Sequence, residues 1–97
     1  MRQTIAVAHT FVDDDLGYEQ WLRTHPTGYV LNCDRRPRAN YLLLHRATCH
    51  TITGTPARGD TWTADYMKVA GDTIAELDAW ARAETGGVPQ RCGSCAP

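Results

Sequence analysis

Four residues of this chain have the types and spacing to hold one metal ion: His45, Cys49, Cys92 and Cys95. Thiolate sulfur and imidazole nitrogen are the donors of tetrahedral zinc sites. A Cys-x2-Cys pair such as Cys92 and Cys95 brings two sulfurs to one ion from a tight turn, and Gly93 gives that turn conformational freedom. The other two donors lie at the end of an apolar run, Tyr41 to Leu44. The set predicts a Zn2+ ion that ties the C-terminal tail to the core. Four protein donors leave no position for water, so such a site is structural rather than catalytic. Cys49 with His50 is an alternative second pair. Three other readings use the same residues. Cys92 and Cys95 could be a redox pair, although no βαβ pattern surrounds them. Cys49 could form a disulfide with the tail in an exported protein. His45 could be a core histidine.

A second cluster is basic. Arg35, Arg36, Arg38 and Arg46 stand close together with Tyr41 among them and only Asp34 against them. The guanidinium fork bonds phosphate oxygens bidentately, so this set predicts a nucleic-acid-binding edge. Tyr41 and Trp62 would add stacking surfaces for bases. The plainer reading is a solvated loop whose arginines balance Asp13, Asp14 and Asp15. The remaining polar residues, including His9, His25, Asn32, Asp65 and Lys68, match no Ser-His-Asp, phosphate-loop or His-Glu-x-x-His pattern. Cys49 and His50, adjacent on extended chain, would point to opposite faces and not form a nucleophile–base pair.

Length and composition bound these readings. The 97 residues make one domain, residues 1–97, with a modest core that a metal would help to hold. An apolar fraction of 42% with 22% charged residues excludes a disordered chain. A net charge of −1 provides no global field toward nucleic acid or membrane, so any such binding must be local. No apolar run approaches the ~20 residues of a membrane span. Ile5 to Ala8 is too short for the core of a signal peptide. These features predict a cytoplasmic, reducing setting, where Cys with His means metal more often than disulfide.

The elements that must position these residues follow from periodicity. Residues 3–12 carry β-branched and aromatic side chains and predict an edge strand. Tyr18, Trp21, Leu22 and His25 have helical spacing, with the acids from Asp13 to Asp15 as N-cap and first turn and Pro26 and Gly28 as the stop. Gly28 to Cys33 and Tyr41 to Arg46 predict an antiparallel hairpin around an arginine- and proline-containing loop. Leu42 and Leu44 share one face of the second strand, and Tyr41, Leu43 and His45 share the other, which places this strand in the sheet interior. Residues 51–60 predict a loop, and Thr61 to Val69 a third strand. Thr73 and Glu76 form a capping box before a helix over residues 74–85, with Ile74, Leu77, Trp80, Ala81 and Glu84 along one side and Gly86-Gly87 as the stop. Residues 88–97 are a tail with no reason for order unless something ties it down. Cys33 stands apart as a small buried residue.

The chain resembles a group of small bacterial proteins to which no activity is attached. The resemblance runs through the acids at 13–15 with Tyr18, Trp21 and Leu22, then Pro26 and Gly28 to Asn32. It continues through Leu44 to Ala47 with Cys49, Tyr66 with Lys68 and Val69, Leu77 with Trp80 and Ala81, and Cys92 with Cys95. It implies that His45, Cys49, Cys92 and Cys95 act as a set, and it implies no reaction.

The expected architecture is α+β: a small antiparallel sheet of three to four strands packed by two helices, with the tail tied down by zinc. The expected function is a zinc-stabilised binding module that contacts DNA or RNA through Arg35, Arg36, Arg38, Tyr41 and Arg46, in a DNA-handling or defence system. The alternatives are an adaptor for an acidic protein partner and a small hydrolase or nuclease.

Overall fold

The computed structural model describes residues 8–53 and 61–97. In chain order the elements are strand β1 (His9–Phe11), helix α1 (Asp15–Thr24), strands β2 (Tyr29–Asp34), β3 (Leu42–Arg46) and β4 (Tyr66–Gly71), helix α2 (Ile74–Thr85) and strand β5 (Gln90–Arg91). The fold is α+β, as expected. Residues 3–7 of the expected edge strand and residues 54–60 of the expected loop lie outside the described residues.

The predicted antiparallel β2–β3 hairpin forms, and its register sets Tyr29 opposite Arg46 and Cys33 opposite Leu42. β4 pairs antiparallel with the other side of β2, and β1 pairs antiparallel with β4. The sheet differs from expectation in one respect. Among the described residues it has five strands rather than three to four, in the order β1-β4-β2-β3-β5, with β5 parallel to β3. Gln90 and Arg91 are both exposed, so no apolar alternation marks them as a strand. Their place is set by backbone pairing against the free side of β3, which puts β3 in the sheet interior.

Side-chain alternation divides the core into two layers. Leu31, Cys33, Leu42, Leu44, Met67 and Val69 bury one sheet face against Leu77 and Ala81 of α2. Val30 and Ala70 bury the other face with Tyr18 and Trp21 of α1, together with Ala47, Cys49, Ile52, Trp62 and Cys92. Each large apolar side chain removed from water in these layers contributes about 1.5–3 kcal/mol before the opposing chain entropy is counted. The cysteines of the expected metal set, Cys49, Cys92 and Cys95, therefore belong to the α1 layer, and Cys33 to the α2 layer.

Both helices start and stop where their caps direct. Asp14 is the N-cap of α1 and accepts from the Gly17 backbone N–H at 2.9 Å. Thr73 and Glu76 form the reciprocal capping box of α2, and Gly86, at φ 75°, ends that helix in the left-handed region. Glu84 is exposed rather than on the packed side, since the stripe narrows to Leu77 and Ala81 flanked by Ile74 and Trp80.

The strand expected from Thr61 begins only at Tyr66. The segment before it is drawn onto the start of α1 instead. The Asp15 carboxylate accepts from the backbone N–H groups of Trp62 at 2.7 Å and Thr63 at 2.8 Å and from the Thr63 hydroxyl at 2.6 Å. The Asp13 N–H donates to the Thr63 carbonyl at 2.8 Å. These bonds hold Asp15 ionised below the usual carboxylate range despite the opposing effect of its partial burial.

Candidate metal centre

Strand β3 delivers His45 one residue before its end, with the ring on the α1 side. The chain then turns: the Ala47 N–H donates to Gly28 O at 3.0 Å, and the Cys49 N–H donates to Arg46 O at 2.9 Å. This turn folds Cys49 back beside the strand end. The tail arrives from the other side. The Cys92 N–H donates to Leu44 O at 2.8 Å, continuing the β3–β5 ladder by one bond, and the Ala96 N–H closes a turn onto Cys92 O at 3.0 Å.

One donor atom from each of His45, Cys49, Cys92 and Cys95 lies within 4.8 Å of every other. The Cys49 and Cys92 sulfurs are 3.9 Å apart. A tetrahedron with metal bonds of about 2.0–2.3 Å has edges of roughly 3.3–3.8 Å, so the four residues are close enough to hold a metal ion. All four cysteines of the chain are free thiols. Gly93 has open space around its Cα and no positive φ, so the turn between Cys92 and Cys95 does not require glycine.

The surroundings suit ionised sulfur. The Ser94 N–H points at the Cys92 sulfur at 3.3 Å, and the Arg46 N–H points at the Cys95 sulfur at 3.2 Å. Burial raises the Cys92 thiol, but the N–H groups of Cys95 and Ser94 and the Cys49 thiol outweigh it and bring it down to about 7. Cys95 moves the other way, because its burial and its neighbouring sulfurs disfavour a second negative charge. Burial, with Lys68 nearby, pushes His45 down to about 4 and keeps its imidazole neutral, the form that ligates metals. Its Nδ1 lies 3.3 Å from the Thr51 hydroxyl. Its Nε2 is buried and has no hydrogen-bond partner among the described residues. A buried ring with an orphaned nitrogen, in a residue whose donor atom lies within 4.8 Å of three sulfurs, fits a metal ligand and would be a cost in a purely apolar core. His50 is exposed while Cys49 is buried, and the donor atoms that come together are those of His45 and Cys49, not of His50.

Neither a protein family, nor a curated protein, nor a solved structure matches this chain. The centre is therefore read from its own atoms.

The arginine cluster is not brought together as one free surface. Arg35 forms a bidentate pair with Asp13, at 2.8 and 2.7 Å, and also donates to Ala64 O at 2.6 Å. Arg38 pairs with Asp34 at 2.7 Å. Arg46 reaches the tail, donating to Cys95 O at 2.9 Å and Ala96 O at 3.0 Å. Arg36 is exposed and has no ion pair among the described residues. Tyr41 is half-buried, accepts from Asn32 Nδ2 at 2.9 Å and lies 5.7 Å, centroid to centroid, from Tyr66. Trp62 is only 7% exposed and packs edge-on against Tyr18, so it offers no stacking surface. Arg35 thus balances Asp13, as the plainer reading of the cluster has it.

Two contributors escaped the sequence reading. Thr51, two residues past Cys49, touches both that sulfur and the His45 ring. Lys68, the sole lysine, is buried on the α1 face, donates to Trp62 O at 2.7 Å and lies about 6 Å from the Tyr18 and Trp62 rings. An isolated lysine within an alternating strand gives no signal of inward orientation beyond its parity with Tyr66 and Ala70.

Proposed function

We propose that the chain is a small binding module stabilised by one Zn2+ ion held by His45, Cys49, Cys92 and Cys95. The observation that carries this reading is the convergence of four soft or borderline donors from two segments 43 residues apart. Three sulfurs and one imidazole suit zinc, and hard cations such as Mg2+ and Ca2+ prefer oxygen. Four protein ligands fill a tetrahedral shell, so the ion stabilises the fold and takes no water for chemistry. Zinc of this kind contributes folding free energy directly, on the order of 10 kcal/mol in small zinc peptides. Thiolate ligands need a reducing compartment, and we place the protein in the cytoplasm on that ground. Elemental analysis of protein purified without added metal should find about one zinc per chain. Chain that carries no zinc and keeps its full structure in chelator would remove the proposal.

A nucleic-acid partner is a second reading, favoured by exposed Arg36, which has no ion pair among the described residues, in the hairpin loop near Tyr41, whose ring packs against Tyr66 of β4. Exposed pairs such as Arg35–Asp13 and Arg38–Asp34 are worth about 0–1 kcal/mol, so phosphate can compete for them. A patch of this size binds weakly and with few released counterions. Short DNA or RNA should bind at low salt, weaken as salt rises, and weaken further in Arg36→Ala with Arg38→Ala. No binding of either polymer at low salt rules the hairpin out as a nucleic-acid surface and leaves the adaptor reading.

A further inference from the structure

Resting on the zinc reading, we infer that Thr51 is the positioning residue of the centre: its hydroxyl selects the His45 tautomer that presents Nε2 to the metal and donates its own proton to the Cys49 sulfur.

The Thr51 oxygen lies between two ligands, 3.0 Å from Cys49 Sγ and 3.3 Å from His45 Nδ1. A hydroxyl carries one proton and two lone pairs. A metal-bound Cys49 is a thiolate and has no proton to offer, so the hydrogen in that contact belongs to Thr51. The threonine oxygen then turns a lone pair to the His45 ring. Only a protonated Nδ1 makes a favourable contact with it. A neutral imidazole with its proton on Nδ1 has its free lone pair on Nε2. That atom is the buried nitrogen with no other partner among the described residues. The two distances, the single hydroxyl proton and the orphaned nitrogen therefore agree. Outer partners of this kind orient a ligating histidine, and a hydrogen bond to a thiolate moderates its charge.

Thr53 provides an internal control. Its hydroxyl bonds to the same residue, but to the Cys49 backbone carbonyl at 3.1 Å rather than to the sulfur. It holds the turn and touches neither donor atom.

The test is a zinc competition titration against a chromophoric chelator, with wild type, Thr51→Val, Thr51→Ser and Thr53→Val. Thr51→Val keeps the side-chain shape and removes both bonds. It should bind one zinc about 10–100-fold more weakly, the usual effect of losing such an outer partner. Thr51→Ser restores the hydroxyl and should recover affinity to within about threefold. Thr53→Val should stay near wild type. Long-range proton–nitrogen NMR of the zinc-loaded wild type should show His45 metallated at Nε2 with the proton on Nδ1. Metallation at Nδ1, or Thr51→Val with wild-type affinity and the same tautomer, overturns the assignment while the zinc centre stands. A wild type that binds no zinc fails one step earlier, at the proposed function itself. If Thr51→Val does not fold, the wild-type tautomer and the Ser variant still decide.

Discussion

At the residue scale, burial changes what each ionisable group contributes. Cys33 shares the chemistry of the other cysteines but not their place. It lies in the α2 layer, where burial pushes its thiol up to about 12, and it acts as a small apolar side chain. Lys68 shows the opposite tension. Burial drives its amine from 10.5 down to about 8, with Asp15 opposing only in part. The unfolded chain keeps that proton to a higher pH than the folded one. Below about pH 8 both states are charged, and the fold carries the full cost of the buried ammonium. Between about 8 and 10.5 the unfolded state binds more protons, so stability rises with pH across that window. The difference between 10.5 and about 8 corresponds to roughly 3–4 kcal/mol at most. Urea denaturation of wild type and Lys68→Met at several pH values checks this. Wild type should gain on Lys68→Met from pH 8 to 10.5, and parallel curves would refute the buried-ammonium cost.

At the element scale, α2 and β5 are held in contrasting ways. Helix α2 is specified locally: the Thr73–Glu76 box satisfies its first donors, Gly86 takes the left-handed turn at its end, and Leu77 with Ala81 supplies its packed face. Thr73→Ala removes the side-chain acceptor for the Glu76 N–H and should lower stability by about 1 kcal/mol. Thermal or denaturant unfolding reads this, and Thr73→Ser should recover most of the loss. β5 has no such local support. Two exposed residues cannot hold a strand by packing. It stays because β3 offers a free ladder, because Arg46 binds the Cys95 and Ala96 carbonyls, and because Arg91 reaches the Pro97 carbonyl. Under the zinc reading, the metal adds two bonds just past its end.

At the scale of the whole molecule, the proposed ion joins the start and the end of the second half of the chain. Ligation requires thiolates, so protons compete with zinc for the same sulfurs. The metal's contribution to stability is therefore present near neutral pH and is lost as pH falls. Melting of the zinc-loaded protein should drop steeply from pH 8 to pH 5 and converge on that of chelator-treated protein. In a domain of this size each kcal/mol moves the midpoint by about 4–8 °C, so the gap at pH 8 should exceed ~10 °C. Equal midpoints with and without chelator at pH 8 would show that the centre does not stabilise the fold.

The sequence by itself determined those features whose physics is local. Helical spacing and caps set α1 and α2, alternation with a breaking loop set the β2–β3 hairpin, and donor type with spacing singled out His45, Cys49, Cys92 and Cys95. Only the tertiary structure decided what depends on distant neighbours. Gln90 and Arg91 became a fifth, parallel strand because β3 had an open side, which no periodicity in two polar residues could signal. Trp62 turned inward because Asp15, 47 residues earlier, captured the backbone beside it. Three of the four clustered arginines were engaged by partners as close as Asp34 and as far as Ala96, since charge in sequence says nothing about which counter-charge or carbonyl the fold brings near. Thr51 gained its place for the same reason: a hydroxyl is common, and only the turn after β3 sets it between Cys49 and His45.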